Sequence, residues 1–351
     1  MKRNVKIGIW GFGAMGSGMA KMLVQKKGIE IVAVCDMNPN LIGKEMYQYL
    51  GVERGDRPEV YFVDDVDKAF SEGCCDLVLT ATDSFVKDAF PKLKKCLEKK
   101  LNVISTAEEM SYPQAQSPEL AAELDKIAKE NGVTILGTGI NPGLIMDLLV
   151  VILTGAMTHL DTVKAERVNS LSPFGKTVME EQGVGITVEE FNKGVETGHL
   201  AGHVGFHESI NMIADAVGWK VDDIKTQMSP IVTDVDRKSP HGFAAAGNVA
   251  GVNMTGQGFV NGKPLIDMVH PQQIEPEQVG VHTGDYITLK GTPEINMAIK
   301  PETEGGLGTI AMCVNMIPQV INASPGLKTM LDLPVPRALM GDVRDRIENL
   351  E

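Results

Sequence analysis

Through roughly the first 155 residues, short apolar runs alternate with stretches whose apolar positions recur every three to four residues. That alternation is expected of strand–helix–strand units feeding a parallel sheet. Val5 to Trp10, Glu30 to Cys35, Asp76 to Thr82, Leu101 to Ser105 and Val133 to Leu136 read as strands. Ala14 to Gln25, Phe85 to Lys99 and Pro118 to Asn131 read as helices, the last opened by the start signal Ser117-Pro118-Glu119. About six strands with helices on both faces make a doubly wound sheet.

Beyond residue 155 the texture changes. Thr162 to Ser170 reads as a strand, two short helices follow, and Gly205 to Val217 reads as a longer helix. In the strand-rich tract after it, Asn261-Gly262 separates Gly256–Val260 from Pro264–Val269, a two-residue type I′ hairpin signal. Asp285 to Lys290 and Ile295 to Lys300 add strand, so a mixed or antiparallel sheet is expected. Leu144 to Met157, interrupted by Asp147, reads as a buried helix, short of the roughly 20 residues that span a bilayer. Gly308 to Ile321 returns to helical spacing, and the tail with Pro325, Pro334 and Pro336 reads as a closing loop.

Composition narrows the function. The 351 residues, 43% hydrophobic and 23% charged, suffice for two domains that each bury a core. A net charge of −13 without any Lys/Arg cluster offers no dense positive field for a phosphate backbone, so nucleic acid is not an expected partner. The first apolar run is too short for a signal peptide, and no run is long enough for a membrane span. Five cysteines (Cys35, Cys74, Cys75, Cys96, Cys313) form no Cys-x-x-Cys pair, which fits neither a disulfide framework nor a zinc ribbon and indicates a reducing, cytoplasmic setting. Cys74 and Cys75, as neighbours in a strand, would face opposite sides.

The strongest local signal is Gly11-Phe12-Gly13-Ala14-Met15-Gly16, directly after the first strand and opening a helix. Gly11 permits the tight turn, Gly13 lets backbone amides approach a pyrophosphate, and Gly16 lets helix and strand pack closely. The helix N-terminus adds unpaired N–H groups and partial positive charge. Asp36 ends the second strand 20 residues after Gly16, where a carboxylate can accept hydrogen bonds from ribose hydroxyls. It favours NAD by repelling a 2′-phosphate; no arginine follows it, and NADP stays open. The expected fold is therefore α/β: an N-terminal Rossmann doubly wound parallel sheet, residues 1–143, with a C-terminal α+β substrate and dimerisation domain, residues 144–305. A closing helix and tail, residues 306–351, return toward the N-terminal domain.

In such a sheet ligands meet the carboxyl ends of the strands. Three tracts end there, Thr80–Ser84, Ser105–Glu109 and Gly137–Gly143. They supply Ala81, Thr82, Ser84, Thr106 and Asn141 as further cofactor contacts. Glu108 and Glu109 follow the second of these strand ends, where a partly desolvated carboxylate suits general-base work beside a nicotinamide; spacing does not choose between them. His199, His203 and His207 stand four apart, but glycines at 198, 202 and 205 argue against one continuous helix and no companion ligand follows, so no metal is expected. His203 or His207 could instead face substrate. His270, and Glu302 with Glu304, are candidates to line a cleft, the two glutamates being equally suited to a helix N-terminus.

The combination GFGAMG, AVCD, STAEEMSYP, GTGINPGLIMD, GHVGFHES, GGLGTIAMCVNMIPQV and PGLKTMLDLPVP resembles the 2,4-diaminopentanoate dehydrogenases and the related native amine dehydrogenases over nearly the whole chain. The glycine fingerprint alone is similar to dihydrodipicolinate-reductase-like Rossmann proteins in general. The resemblance implies NAD(P)-linked oxidative deamination of (2R,4S)-2,4-diaminopentanoate at C4, a step of ornithine degradation, in a homodimer whose catalytic glutamate is Glu108 or Glu109. One carboxylate could take a proton from the ammonium and later activate water, its charge stabilising the iminium between. The substrate carboxylate needs a cationic or amide partner, for which Arg167, Asn169 and Lys176 are candidates, with His203 and His270 beside them. Two other readings remain at this level: a reductase of another small imine or semialdehyde, and an NAD(H)-sensing protein without turnover.

Overall fold

The apolar runs of the N-terminal part pair into one parallel sheet. The computed structural model describes residues 2–200 and 202–350, and the chain divides into two units, Met1–Leu144 with Gly305–Glu351, and Ile145–Glu304. In the first unit the strands are β1 (Val5–Trp10), β2 (Ile29–Cys35), β3 (Phe62–Val63), β4 (Leu77–Thr80), β5 (Asn102–Ser105), β6 (Thr134–Gly137) and, from the C-terminal part, β15 (Gly326–Lys328). Their spatial order is β15-β6-β5-β4-β1-β2-β3, all parallel, so the direction of winding reverses between β1 and β4. Every residue of β4 and of β6 is buried, as expected of strands covered on both faces.

The helices of this unit are α1 (Ala14–Leu23), α2 (Met46–Leu50), α3 (Val66–Ala69), α4 (Val86–Glu98) and α5 (Pro118–Asn131), with α10 (Gly305–Asn315) and α11 (Ile317–Asn322) from the C-terminal part. In α4 the buried positions Val86, Ala89, Leu93, Cys96 and Leu97 follow the helical period, and α5 repeats the pattern with Ala121, Leu124, Ile127 and Ala128. The tail is not only a closing loop: Gly326–Lys328 adds a seventh strand, pairing with Thr134–Leu136. Cys74 and Cys75 are not strand neighbours either. They precede β4, Cys74 half-buried and Cys75 buried.

The second unit contains α6 (Leu148–Thr154), β7 (His159–Ser170), α7 (Lys176–Glu181), α8 (Val188–Glu196), α9 (Phe206–Val217), β8 (Asp223–Val232), β9 (Arg237–Lys238), β10 (Phe243–Ala244), β11 (Val249–Val260), β12 (Lys263–Gln273), β13 (Gly284–Thr292) and β14 (Ile295–Ile299). Its six-stranded mixed sheet runs β14-β13-β7-β12-β11-β8, antiparallel except where β7 meets β12. The hairpin between β11 and β12 turns on Asn261 and Gly262, at φ 51° and 71°, as a type I′ turn requires. The long helix expected over Leu144–Met157 is shorter. It begins only at Leu148, where Asp147 caps it by accepting from the Leu148 amide at 2.6 Å, and Ile152 is 45% exposed. Among the described residues no helix is long and apolar enough to cross a membrane.

Candidate active site

At the carboxyl ends of the first unit's strands the chain continues the sheet pairing for one more residue. Gly11 donates to Cys35 O, Ala81 to Trp10 O, Thr106 to Thr80 O and Thr138 to Ser105 O, all at 2.8–3.0 Å. This brings the glycine turn and the three strand-end tracts to one rim, at the reversal of winding where nucleotides bind open sheets. The three glycines of the turn differ in what holds them there. Gly11 sits at φ +91°, and a Cβ on it would come within 2.5 Å of Ala81 O, whereas a Cβ on Gly16 would come within 1.9 Å of Gly11 O. Those two are demanded by the fold itself. Gly13 is not, since a Cβ there meets nothing within 4 Å. Its bareness leaves approach space to the backbone amides at the start of α1, whose N-terminus has no side-chain cap and no acidic residue in its first turn. An open, uncapped helix start behind a bare backbone fits a dinucleotide's pyrophosphate.

Asp36 fixes this turn. Its Oδ2 accepts from Phe12 N at 2.5 Å and its Oδ1 from Asn38 N at 2.7 Å, leaving each oxygen a second lone pair. Phe12 therefore serves the turn rather than presenting a contact to a nucleotide. Its amide is engaged by Asp36 and its buried ring packs edge-on against Phe62 at 4.7 Å. On the rim, Thr82 Oγ1 hydrogen-bonds Asp83, which is ion-paired with Lys92 at 2.7 Å. Ser84 O accepts the Glu109 amide.

The structure separates the two glutamates. They occupy a 3₁₀ turn, Glu108–Ser111, after β5. Glu109 Oε2 accepts the Val86 amide at 2.7 Å, so this side chain closes the first turn of α4. Glu108 is half-buried at the same rim and takes no part in that cap.

The second unit gathers the other candidates on one sheet face. The covered face of β11 is marked by Gly256 and Gly258, where a Cβ would lie 2.8 Å from Phe206 and 2.6 Å from Ile210 of α9. Met268 and Ile266 lie opposite those glycines, so His270 and Gln272 share their face by the two-residue strand period. The register across β7 and β13 adds Arg167, Asn169 and Asp285. One end of the face is apolar and the other is this polar cluster.

Within the cluster Arg167 is committed. Its guanidinium pairs with Asp285 at 2.6 Å and donates to Thr303 O at 2.5 Å, with both charged side chains at most 2% exposed. It is thus no spare cation for a substrate carboxylate. His270 Nδ1 lies 2.7 Å from Arg167 O. A carbonyl only accepts, so Nδ1 carries the proton and a neutral ring leaves Nε2 as an acceptor. The His203 ring stands edge-on to His270 at 4.7 Å. Burial, helped by the charge of Arg167, pushes His203 down to about 3, and burial with the neighbouring His203 also lowers His270, so both are neutral at physiological pH.

Asn169 and Gln272 are 5% and 7% exposed, and Asn169 Oδ1 and Gln272 Nε2 have no hydrogen-bond partner in the protein. Lys176 is not among these residues: on α7 it is 80% exposed and paired with Glu180. Glu302 accepts the Ser170 amide at 3.2 Å, holding the end of β7, and Glu304 immediately precedes α10. His199 is exposed, and α9 starts only at Phe206, so the three spaced histidines do not share a helix. Sequence reasoning missed Gln272 and Asp285. The strand period from His270 could have pointed to Gln272; Asp285 meets Arg167 from 118 residues away, with no local signal.

Residues 144–349 match the family described as 2,4-diaminopentanoate dehydrogenase C-terminal domain, and residues 5–136 match the dihydrodipicolinate reductase N-terminus family. The chain is 63% identical, over 98% of its length and 97% of the relative's, to 2,4-diaminopentanoate dehydrogenase of Acetoanaerobium sticklandii. It is 24% identical to an amine dehydrogenase of Streptomyces virginiae, over 94% of this chain and 96% of that one. Among solved structures, amine dehydrogenase from Mycobacterium smegmatis superposes with a TM-score of 0.84 at 28% identity, covering 95% of this chain and 97% of that one.

Proposed function

Because the chain belongs to the 2,4-diaminopentanoate dehydrogenase family, we propose that it oxidises 2,4-diaminopentanoate in its (2R,4S) form at C4 to 2-amino-4-oxopentanoate and ammonia, a step of ornithine degradation. The observation that carries this in the chain's own geometry is the division of the acidic pair: Glu109 caps α4, whereas Glu108 stands half-buried at the same strand-end rim, outside that cap. A bound nicotinamide supplies the acceptor for the hydride that leaves C4. Glu108 takes the proton from the C4 ammonium, releases it to solvent, and stabilises as a carboxylate the iminium left when hydride departs. It then takes a proton from the water that attacks C4 and returns it to the nitrogen, so that the C4–N bond breaks with loss of the hydroxyl proton to give the ketone and ammonia.

The remaining roles follow from placement. Gly11 and Gly16 shape the turn, Gly13 admits the pyrophosphate, and the amides of Ala14 and Met15 at the start of α1 face it. Asp36 accepts from the adenosine ribose with its remaining lone pairs and disfavours a 2′-phosphate, giving a preference for NAD over NADP. Ala81, Thr82, Ser84, Thr106 and Asn141 border the nicotinamide ribose and ring. Asn169, His203 and His270 receive the substrate's amino-acid end, and Arg167 positions His270.

The protein acts as a cytoplasmic homodimer. Support for the dimer comes from β11, where buried Val252, Met254, Gly256 and Gly258 alternate with half-exposed Asn253, Thr255, Gln257 and Phe259, so the sheet's second face is partly open.

The test is to supply NAD with 2,4-diaminopentanoate or, separately, with small 2-hydroxy acids, and to follow reduced cofactor and ammonia. Equal amounts of both products from the diamino acid are expected. Turnover of a hydroxy acid with none of the diamino acid would overturn the assignment.

A further inference from the structure

At the opposite end of the parallel sheet from the glycine turn, the first unit holds a cavity of about 640 Å³ between α11, β15 and the last part of the chain. Its lining fixes the place. Lys2 stands just before β1 and Ser324 just before β15, so the cavity opens at the amino ends of the strands, whereas the glycine turn lies at their carboxyl ends. The walls are tied together. Asn322 at the end of α11 donates to Arg346 O at 2.7 Å and accepts from Glu348 N at 3.1 Å, and Lys26 donates to Leu339 O at 2.9 Å. Such a pre-formed space falls within the roughly 300–1,000 Å³ of small-molecule sites.

The lining offers three kinds of chemistry. Lys2, Lys328, Arg337 and Arg346 bring four positive charges to one cavity of a chain whose net charge is −13. Among the described residues none of the four is ion-paired: Lys2 donates to the carbonyls of Arg344 and Ile347, Lys328 donates to Ser324 Oγ, and the nearby Asp342 is taken by Arg344 and Lys27. Of the acids, Asp332 accepts from the amide and hydroxyl of Thr329 at 2.7 and 2.8 Å, while Asp345 and Glu348 are exposed at the mouth. Pro318, Leu333, Leu339 and Ile347 supply an apolar wall. Gln319 also lines the cavity; it is 8% exposed, and its Oε1 has no hydrogen-bond partner in the protein. A buried acceptor is costly to leave unbonded, which points to a donor on a ligand.

An inorganic anion would engage the cations and leave the carboxylates, the amide and the apolar wall unanswered. An apolar acid would use the wall and a cation but offer no donors. A nucleotide meets all three: its phosphates pair with lysine and arginine, its ribose hydroxyls and base N–H groups donate to carboxylate and amide oxygens, and its base lies against apolar side chains. We propose that this cavity binds a nucleoside diphosphate, making it a second nucleotide site separate from the dinucleotide turn. Such a site is independent of the diamino-acid reading above.

The experiment is calorimetric titration of ADP into the full-length protein saturated with NAD, so that the glycine turn is already filled. One molar equivalent is expected to bind, and more weakly as salt is raised. Arg337→Gln and Arg346→Gln should each raise the ADP Kd about tenfold or more, while the NAD Kd and kcat stay within about threefold. Lys328→Gln takes the place of either variant that folds poorly, with the same expected loss. Absence of ADP binding at saturating NAD, or binding that every variant leaves unchanged, overturns the site. Inorganic pyrophosphate binding as tightly as ADP would leave ribose and base without a role and overturn the nucleotide assignment.

Discussion

At Asp36 both carboxylate oxygens already accept backbone amides, from Phe12 and Asn38, so one side chain ties the glycine turn to β2 while facing the ribose position. Asp36→Ser removes the charge that opposes a 2′-phosphate. The ratio of NADP to NAD affinity should then rise about tenfold, with loss of stability of about 1–3 kcal/mol from the unbonded amides. Fluorescence titration with both nucleotides checks the first and thermal melting the second; an unchanged ratio would remove Asp36 from cofactor selection. The position of Asp36 was readable because turn, helix and strand set it locally. The tasks of Glu109 and Arg167 were not, because Val86 and Asp285 reach them across 23 and 118 residues. A Glu-Glu pair looks the same in sequence whichever member turns toward a helix end, and only packing distinguishes them.

Among elements, the β1–turn–α1 unit gives the sharpest contrast between residues the fold demands and residues a ligand demands. Gly13→Val adds atoms to open space at φ −70°, so the melting temperature should change little while the dinucleotide Kd rises about thirtyfold or more. Gly16→Val drives its Cβ into the Gly11 carbonyl and should cost about 4 kcal/mol or more in stability. Equal effects on both readouts for the two variants would mean that Gly13 is structural. The strands and helices of this unit were legible from periodicity because each is long enough to repeat its pattern. The strand Gly326–Lys328 has three residues, too few to show alternation, and is held by pairing with Thr134–Leu136. The shortening of α6 follows from Asp147, whose buried carboxylate accepts from both Leu148 N and Ser209 Oγ and so starts the helix later than the apolar run suggests.

For the molecule as a whole, two neutral histidines, His270 buried and His203 half-buried, make folding depend on pH in a definite direction. His203 titrates near 3 in the folded chain and near 6.5 when unfolded, so between those values the unfolded state binds more protons. Stability should therefore fall as pH drops below about 6.5, by up to about 1.4 kcal/mol per pH unit for His203, with His270 contributing in the same sense. Melting at pH 7 and pH 5 checks this, and His203→Gln should flatten part of the slope; a wild-type profile without any slope would contradict neutral burial. The parallel sheet and the mixed sheet were both visible in the order of elements, because strand–helix alternation and hairpin signals are short-range. The chemistry at the polar end of the mixed sheet depends on strands far apart in sequence and became visible only in register. The most direct test of the whole assignment is reduced-nicotinamide absorbance with 2,4-diaminopentanoate for wild type, Glu108→Gln and Glu109→Gln, alongside cofactor titrations. Glu108→Gln should slow turnover about a hundredfold or more with cofactor affinity preserved, while Glu109→Gln should keep most turnover and lose about 1 kcal/mol of stability. Full turnover in Glu108→Gln would contradict the account.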